Sequence, residues 1–466
     1  MKHYMRRIKK IHFVGIGGSG MSGIAEVLLT QGYTVSGSDK NSNAATKRLS
    51  SLGATIFQGH DVAHVGDADA IVVSSSIVQD NPEVQAAQRA RLPILPRAQM
   101  LAELMRFHYG IAVAGTHGKT TTTSLLANIL AEAELDPTFV VGGILNSSSA
   151  SARLGASRYF VVEADESDAS FLHFNPIASV VTNIDADHMQ TYANDFKKLQ
   201  QAFLDFLQRL PFYGLAVVCI DDPVIAEILP QISRPTITYG FSEYADIQAY
   251  DFVQQGFCST YKVKCKSQNS ELNIRLNLPG KHNVLNSLAA ITVATECCDV
   301  AGSAIVTALQ KFLGVGRRLQ RYGELLLPQG KVPLLDDYGH HPREILVTLQ
   351  ALRAAYPQHR LVLAFQPHRY SRTQALFEEF TAVLAEVDVL LLLEVYAAGE
   401  TPIIGVDSHK LADNIKHQGK VQPIVVTDEA ELCVILPTLL KQGDVLLLQG
   451  AGSIGAVAPR LSQAFL

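Results

Sequence analysis

Short apolar runs along the chain alternate with longer stretches in which hydrophobic residues recur every three or four positions, as they do on one face of a helix. The runs, rich in Val, Ile and Leu, lie at residues 11–14, 71–74, 111–114, 159–162, 179–182, 332–335, 361–365, 389–395, 424–426 and 445–448. Strands that alternate with helices are typical of βαβ units and parallel sheets. The pattern therefore predicts an α/β fold.

The segment from Ser242 to Asn277 departs from this pattern. Its apolar and polar residues alternate in pieces such as YKVKC and LNIRLNL, and polar residues separate the pieces. Alternation of this kind predicts short strands with one buried face. We therefore expect a small antiparallel patch in the central part of the chain.

The length and the number of predicted strands together predict several domains. A chain of 466 residues corresponds to about three domains at roughly 150 residues each. If the chain formed a single domain, one sheet would have to hold all ten predicted strands. A division into separate α/β domains is the simpler arrangement. We expect domains at residues 1–106, 107–315 and 316–466.

Composition and charge exclude several classes of protein. The 39 Lys and Arg residues against 44 Asp and Glu give a formal net charge of −5, which argues against general nucleic-acid or membrane-surface binding. The six cysteines form no CxxC pair, which argues against a zinc site and favours free thiols in a reducing compartment. Charged residues interrupt even the longest apolar run. We therefore expect a soluble, cytoplasmic protein.

The first glycine motif, GIGGSG at residues 15–20, follows an apolar run and precedes a helical stretch. It fits GxGxxG, and Asp39 lies about 20 residues further on, as in dinucleotide-binding folds. Glycines allow the backbone amides at a helix N-terminus to approach a diphosphate. The motif by itself is compatible with NAD, with another diphosphate, or with a turn that binds no ligand.

The second glycine motif, GTHGKTT at residues 115–121, also joins a predicted strand to a helix. The strict P-loop pattern fails because Val113 stands where its first glycine belongs. The features that bind phosphate in a P-loop are still present in the sequence. We expect consecutive backbone amides to form an anion-binding nest and Lys119 to reach the β- and γ-phosphates. The Thr120 hydroxyl is placed to bind Mg²⁺. We interpret this motif as a triphosphate site.

Acidic residues follow the next two predicted strands, in EADESD at residues 163–168 and NIDADH at residues 183–188. An acidic loop is usually a solvated surface. Here both acidic segments fall at the carboxyl ends of strands downstream of a P-loop, where ligands of open α/β sheets bind. We therefore interpret them as metal-binding.

Basic and aromatic residues cluster late in the chain, in DDYGHH at residues 336–341 and QPHRYSR at residues 366–372. Arg369 and Arg372 are three positions apart at a predicted helix start, so both can converge on one carboxylate or phosphate. Pairing with surface acids is the alternative. The final motif, GAGSIG at residues 450–455, has no acidic partner before the chain ends, and its glycines are better explained by close packing of strand and helix.

Taken together, the motifs resemble those of the muramyl ligases of peptidoglycan synthesis, from about Lys10 to the C-terminus. The matching segments are GIGGSGMSGIA (15–25), SGSD (36–39), DNPE (80–83), AGTHGKTTT (114–122), VGGILN (141–146), EADESD (163–168), TNIDADHM (182–189), GKHNVLNSLAA (280–290), GVGRRLQ (314–320), DDYGHHPRE (336–344), FQPHRYSRT (365–373), YAAGE (396–400) and QGAGSIG (449–455). Gln190 and Ser453 depart from the family pattern, which has Asp and Asn there. Gln200 stands where some relatives carry a carbamylated lysine, so we expect none here.

The resemblance implies an N-terminal Rossmann-like domain that holds a UDP-sugar, a central ATP-binding domain and a C-terminal Rossmann-like domain that brings an amino acid. The implied UDP-sugar contacts are Gly15, Gly17, Gly18, Ser19, Gly20, Asp39 and Ser74. The implied nucleotide contacts are Gly115, Thr116, His117, Gly118, Lys119, Thr120, Thr121, Asn283, Asn286, Arg318 and Asp337, with the two asparagines on adenine, Arg318 on phosphate and Asp337 on ribose. Thr120 and Glu163 are implied as ligands of one Mg²⁺ and His188 of a second. Tyr338, His340, Arg369 and Arg372 match the positions that hold the amino acid.

The implied activity joins L-alanine to the lactyl carboxylate of UDP-N-acetylmuramate through an acyl phosphate, with catalytic roles for Lys119, Glu163, His188 and Arg318. Three alternatives stay open. A recycling ligase would attach a preformed tripeptide to the same sugar; an oxidoreductase would bind NAD at residues 15–20; and a UDP-sugar sensor would use the P-loop as a switch. We expect a monomer or homodimer.

Overall fold

The computed structural model describes residue 5 and residues 7–74, 76–146, 150–266 and 270–465, apart from the Ser19 side chain. The chain forms two compact units. The first comprises residues 1–252, 260–275 and 283–313, and the second comprises residues 253–259, 276–282 and 314–466. Within the described residues, no helix is both long enough and apolar enough to cross a membrane.

A five-stranded parallel sheet opens the first unit, with strand order β3-β2-β1-β4-β5. Its strands are β1 (Lys10–Val14), β2 (Thr34–Asp39), β3 (Thr55–Gln58), β4 (Ala70–Val73) and β5 (Ile94–Pro96). Its helices are α1 (Ser19–Thr30), α2 (Ala44–Ser51), α3 (Pro82–Arg89) and α4 (Arg97–Met105). The strand order reverses direction between β1 and β4, which is where open α/β sheets bind their ligands.

A ten-stranded mixed sheet follows, with strand order β15-β14-β13-β12-β11-β10-β6-β9-β7-β8. Its strands are β6 (Tyr109–Ala114), β7 (Thr138–Leu145), β8 (Ala150–Arg153), β9 (Tyr159–Glu163), β10 (Ala178–Val181), β11 (Leu215–Cys219), β12 (Thr236–Gly240), β13 (Ile247–Gln255), β14 (Cys258–Cys265) and β15 (Ser270–Leu276). The helices are α5 (Lys119–Glu132), α6 (Phe196–Gln208), α7 (Pro223–Ile228), α8 (Lys281–Cys298) and α9 (Gly302–Lys311). Strand β6 lies between β9 and β10 and is parallel to both. The carboxyl ends of these three central strands therefore meet at one edge.

The second unit contains a six-stranded sheet with strand order β16-β17-β21-β18-β19-β20. Its strands are β16 (Gln320–Leu327), β17 (Gly330–Asp337), β18 (Arg360–Phe365), β19 (Val389–Leu393), β20 (Ile424–Val426) and β21 (Asp444–Gln449). Its helices are α10 (Pro342–Ala355), α11 (Tyr370–Ala375), α12 (Phe377–Leu384), α13 (Ser408–His417), α14 (Glu429–Leu439) and α15 (Val457–Phe465). Only β16 is antiparallel to its neighbour among the described pairs of this sheet. Leu363 and Val362, adjacent in β18, belong to separate apolar clusters, as expected for a sheet covered by helices on both faces.

Helix starts follow from the local sequence. Asn81 accepts hydrogen bonds from the first backbone amides of α3, and Pro82 occupies the first helical position, where no donor is needed. Asp195, Asp222 and Asp428 cap α6, α7 and α14 in the same way. These short polar side chains satisfy amides that a helix terminus leaves without partners.

The predicted three-domain α/β class is confirmed, because the three sheets are mainly parallel and helices follow their strands. All ten predicted runs overlap strands, although the run at 389–395 ends as a strand at Leu393. The segment of the expected antiparallel patch forms strands β13 to β15, and the sheet of the middle domain is mixed. Strands β13 to β15 continue the ten-stranded sheet, because β13 pairs in parallel with β12.

Candidate active site

The glycine turn after β1 is held by the next strand of the same sheet. Gly15 has a φ of +83°, which a side chain would strain. The Gly17 amide donates to Asp39 Oδ2 at 2.9 Å, so Asp39, predicted as a substrate contact, here fixes the turn. Ser74 follows β4, and its Cβ would lie 3.0 Å from a Cβ added at Gly15. Ser19 begins α1, and its side chain lies outside the described part of the structure.

The GTHGKTT segment joins β6 to α5 as predicted. Gly118, with a φ of +82°, is the N-cap residue, and Lys119 begins the helix. The amides of Thr116 and His117 donate to the backbone and side-chain oxygens of Asn183. His117 Nε2 also lies 3.1 Å from Asp185 Oδ2. The loop after β10 thereby holds the start of this glycine loop in place, and the Thr116 and His117 amides are engaged by Asn183.

Lys119 lies in a ring of acceptors. Its Nζ donates to Glu166 Oε2 at 2.7 Å and to the carbonyl oxygens of Gly115 and Thr116 at 2.7 and 3.1 Å. Burial opposes the charge, but the carboxylates of Glu166, Asp165 and Glu163 outweigh it and raise the pKa of Lys119. The lysine is therefore a fixed cation at the N-terminus of α5, where an anion is favoured.

Thr120 and Glu163 form a pair of oxygen donors next to this lysine. The Thr120 hydroxyl donates to the two carboxylate oxygens of Glu163 at 2.9 and 3.1 Å. The Gly142 amide also donates to Glu163, at 2.7 Å, and fixes the carboxylate from β7. A hydroxyl and a carboxylate at this distance are the hard oxygen ligands that Mg²⁺ prefers. The donor chemistry therefore fits a magnesium ion.

Two further predicted nucleotide contacts lie on α8. Asn283 and Asn286 are both buried, and Asn286 Nδ2 donates to Asn283 Oδ1 at 3.3 Å. Asn286 also lies against the P-loop, since its Oδ1 would be 2.4 Å from a Cβ added at Gly118. His188 follows β10 with a φ of +53°, and its Nε2 is 3.5 Å from Asp187 Oδ2. Its predicted role as a metal ligand stays a prediction.

In the second unit, Asp337 ends β17 and is buried. It accepts hydrogen bonds from the Leu319 and Gly339 amides and from Gln449 Nε2, at 2.8 to 3.0 Å. Burial raises its pKa, and the nearby Arg318 counteracts this rise. Arg318 lies over the Tyr338 ring, 5.2 Å from the centroid. The unit thus brings together three of the predicted residues.

Aromatic and basic side chains continue from this point. The His340 ring lies 5.5 Å from Tyr338 and 5.5 Å from His368, which stacks on Tyr396. Arg372 donates to the His368 carbonyl oxygen at 3.3 Å. The structure therefore places histidines 340 and 368 and Arg372 together at the ends of β17 and β18.

Arg369 has a φ of +71°, an uncommon conformation for a residue with a side chain. Its amide donates to the Tyr396 carbonyl oxygen, and this bond fixes the start of α11. Glu400 is buried in part and bonded to Ser371, and despite its burial this bond and the Arg369 charge lower the Glu400 pKa. Arg369 thus belongs to a cluster of hydrogen-bonded polar residues with Ser371 and Glu400.

Several residues of these clusters were not singled out individually from the sequence. Glu166 and Asp165 lie within the quoted acidic segment, and their positions beside Lys119 were the missing information. Arg97 belongs to no recognised motif, although its position directly after β5 was a usable signal. Glu83, buried and bonded to His60 and Ser38, was also missed.

Three family models match consecutive parts of the chain. The Mur ligase family catalytic domain matches residues 10–109, the Mur ligase middle domain matches residues 113–294, and the Mur ligase glutamate ligase domain matches residues 317–452. The matches follow the order of the three sheets.

Solved structures with similar folds include three ligases. The UDP-N-acetylmuramate–alanine ligase of Thermotoga maritima is 29% identical, with 98% of each chain covered and a TM-score of 0.83. The UDP-N-acetylmuramate:L-alanyl-γ-D-glutamyl-meso-diaminopimelate ligase of Neisseria meningitides is 30% identical, covers 66% of this chain and 98% of its own, and has a TM-score of 0.60. A murein peptide ligase of Psychrobacter arcticus shares the fold at 24% identity, with 98% of each chain covered and a TM-score of 0.72.

Proposed function

The chain belongs to the Mur ligase family, and from this membership we propose that it joins L-alanine to the lactyl carboxylate of UDP-N-acetylmuramate, with cleavage of ATP to ADP and phosphate. The observation that carries the proposal is the cluster of Lys119, Thr120 and Glu163 at the ends of β6 and β9. The likeness to the alanine ligase over 98% of both chains supports the choice of amino acid.

The domains of the proposed enzyme are residues 1–106 for the UDP-sugar, 107–315 for ATP and 316–466 for the amino acid. In the first, the Gly15–Gly20 turn would receive the diphosphate on its amides. In the second, Asn283 and Asn286 would contact adenine. In the third, Tyr338, His340, Arg369 and Arg372 would hold L-alanine, with Arg318 on phosphate and Asp337 on ribose.

The first step of the proposed reaction activates the carboxylate. A carboxylate oxygen of the sugar attacks the γ-phosphorus, the bond to the bridging oxygen breaks, and ADP leaves behind an acyl phosphate. Lys119 would neutralise negative charge on the transferring group. Thr120 and Glu163 would hold Mg²⁺, and His188 a second ion, which supply further charge neutralisation when bound.

The second step forms the amide. The amine of L-alanine attacks the acyl carbon, and the tetrahedral intermediate loses a proton and expels phosphate. His188 and His340 are the candidates for the base that first deprotonates the ammonium of L-alanine, and since a metal-bound imidazole has no free lone pair, His188 can serve as this base or as the metal ligand but not as both. Arg369 and Arg372 would orient the amino acid through its carboxylate, so that most of the rate enhancement comes from positioning and electrostatics.

A second candidate is ligation of a preformed tripeptide to the same sugar. The observation in its favour is the 30% identity with the Neisseria meningitides ligase, whose name specifies L-alanyl-γ-D-glutamyl-meso-diaminopimelate. Both reactions use the same ATP and UDP-sugar sites, so only the nucleophile distinguishes them.

The test is ATP-dependent phosphate release with UDP-N-acetylmuramate and a panel of L-alanine, L-serine, glycine and the tripeptide. We expect turnover with L-alanine that exceeds the other amino acids by roughly 10- to 200-fold, since one methyl or hydroxyl group discriminates this far. Turnover with the tripeptide alone would establish the second candidate. Tight NADH binding without an effect of UDP-sugar would instead favour an oxidoreductase.

A further inference from the structure

A cavity of about 270 Å³ lies in the first unit between the glycine turn and the acidic residues at the end of β9. Gly18 and Gly20 line one part of it, and Glu163 and Asp165 line another. Arg97 is the one cation among the described residues that line this cavity. A ligand that extends from the diphosphate turn towards Glu163 must enter this space.

Arg97 begins α4, directly after β5. Its Nη2 lies 3.6 Å from Asp165 Oδ2, and its side chain is 22% exposed. A Cβ added at Gly20 would lie only 2.6 Å from Arg97 Nη1, so the guanidinium fills the space that this glycine leaves open. The side chain is therefore held between the glycine turn and the acidic segment.

The charges around the cavity restrict what it can accept. A substrate carboxylate that approached Glu163 and Asp165 without a cation would be repelled by both. Arginine binds carboxylates through two parallel hydrogen bonds, with more geometric precision than lysine. Arg97 is already paired with a carboxylate of the protein, so its guanidinium faces the acidic side of the cavity.

A second cavity, of about 420 Å³, shares Arg97 and Ser74 with the first. Val73, Ile77 and Ile94 are among the apolar residues that line it. Apolar walls reduce the access of water to a guanidinium, and an ion pair in such surroundings is stronger than one in bulk water. Arg97 therefore lies where a carboxylate would be bound firmly.

We propose that Arg97 binds the lactyl carboxylate of the sugar substrate and exchanges its pair with Asp165 for a pair with that carboxylate. This inference rests on the proposed function, because the carboxylate is the group that the ligase activates. Arg97 would hold one carboxylate oxygen in place while the other attacks the γ-phosphorus. Asp165 is then a temporary partner that keeps the guanidinium in the cavity until substrate arrives.

The test is direct calorimetric binding of two ligands, UDP-N-acetylmuramate and UDP-N-acetylglucosamine, which lacks the lactyl carboxylate. We expect Arg97→Gln to weaken binding of the first ligand by about 10- to 100-fold, the range for a lost charged hydrogen bond. Binding of the second ligand should change less than about threefold. Arg97→Lys should give an intermediate loss, because it retains charge without the paired geometry.

Arg106→Gln is the matched control, since Arg106 caps the other end of α4 and its side chain is 63% exposed. Equal weakening of both ligands would overturn the assignment and place Arg97 on the diphosphate. Unchanged binding of both by Arg97→Gln or Arg97→Lys would also overturn it. If the wild-type protein bound only UDP-N-acetylglucosamine, the proposed function itself would fail.

A second measurement examines the exchange of partners. Asp165→Asn should tighten binding of UDP-N-acetylmuramate, because Arg97 no longer has to leave a carboxylate. That gain should disappear in the double variant with Arg97→Gln, since the two side chains would then be energetically coupled. A gain that persisted in the double variant would contradict the exchange.

Discussion

At the residue scale, Lys119 is notable because its hydrogen-bond partners among the described residues come from two short segments, the P-loop and the residues after β9. These contacts hold the Lys119 side chain in one position at the proposed nucleotide site. We therefore expect its removal to lower the reaction rate more than the stability of the fold. We expect Lys119→Ala to lower the rate of phosphate release by about 100- to 1,000-fold or more, comparable to the loss of a main electrostatic contact.

The same variant should bind UDP-N-acetylmuramate within about twofold of wild type, because Lys119 belongs to the nucleotide site. Lys198→Ala, on the exposed side of α6, serves as the control and should retain full turnover. A non-enzymatic UDP-sugar sensor would instead show no turnover in the wild type, and Lys119→Ala would spare every function that depends on sugar binding.

A second residue-scale prediction concerns Glu83, which is fully buried and contacts His60 and His64 at 3.0 and 2.9 Å. Burial opposes its charge, but the nearby His12 and the hydrogen bonds with Ser38 and His60 lower its pKa to about 2. Because the pKa is lowered on folding, its contribution to stability is present above about pH 4.5 and is lost as the pH falls towards 2.

The difference in unfolding free energy between wild type and Glu83→Gln should therefore shrink between pH 5 and pH 2, as measured by urea titration. Glu103→Gln, on the half-exposed side of α4, should show no such trend. A difference that stayed constant over this range would contradict the lowered pKa.

This cluster also shows what sequence reasoning misses at the residue scale. His12, His60 and Glu83 come from β1, from the loop after β3 and from α3, and no spacing rule links them. By contrast, Lys119 and Thr120 were predicted because one short motif holds both. Residues that act within a motif are visible in the sequence, and those that meet only in the fold are not.

At the scale of elements, the start of α5 depends on Gly118. Its φ of +82° disfavours a side chain, and Asn286 Oδ1 occupies the place of a Cβ. We expect Gly118→Ala to lower stability by about 1–2 kcal/mol through backbone strain alone, and further through the clash. Turnover should also fall, because the amides of the nest would move.

Gly59→Ala is a close control, since Gly59 has a φ of +78° and nothing within 4 Å of an added Cβ. It should show the strain without the clash and retain turnover. Equal effects of the two substitutions on thermal unfolding and turnover would indicate that the contact with Asn286 has no role.

Strands β6 and β9, which are buried and flanked by turns, were both predicted. Prediction was weaker for β7 and β8, whose glycines and polar residues interrupt the apolar run. Neither was predicted, yet Gly142 of β7 holds Glu163. The neighbours of a strand in a sheet are distant from it in the sequence. The residues of one strand alone therefore do not predict which strands pair with it.

At the scale of the whole molecule, the proposed nucleotide site should become more protected when it is filled. Mg²⁺ and ADP bind only the folded state, so they should slow amide hydrogen exchange in residues 115–132 and 159–168. EDTA should reverse most of this protection, and Glu163→Gln should weaken it. Exchange in β20, at Ile424–Val426, should remain unchanged and serves as an internal reference.

The net charge of −5 gave little indication of the substrates, although UDP-N-acetylmuramate and ATP are anionic and L-alanine carries a carboxylate. The relevant cations are few and placed individually. Lys119 and Arg97 lie in the first unit, and Arg318 and Arg372 in the second. A net charge is a sum over all charged residues and does not show where single cations lie. The motifs at the ends of the strands predict the positions of these cations better than the net charge does.

The pairing of Lys119 with Glu166 gives nucleotide binding a dependence on acidity. Burial raises the pKa of Glu166 to about 7, and Lys119 limits that rise. A triphosphate that pairs with Lys119 breaks the ion pair between Lys119 and Glu166 and adds negative charge near Glu166. Both changes raise the pKa of Glu166, so Glu166 should take up a proton as the nucleotide binds. Affinity should then increase as the solution becomes more acidic. Calorimetry in buffers of different ionisation enthalpy would count the protons, and Glu166→Gln should reduce the uptake to near zero.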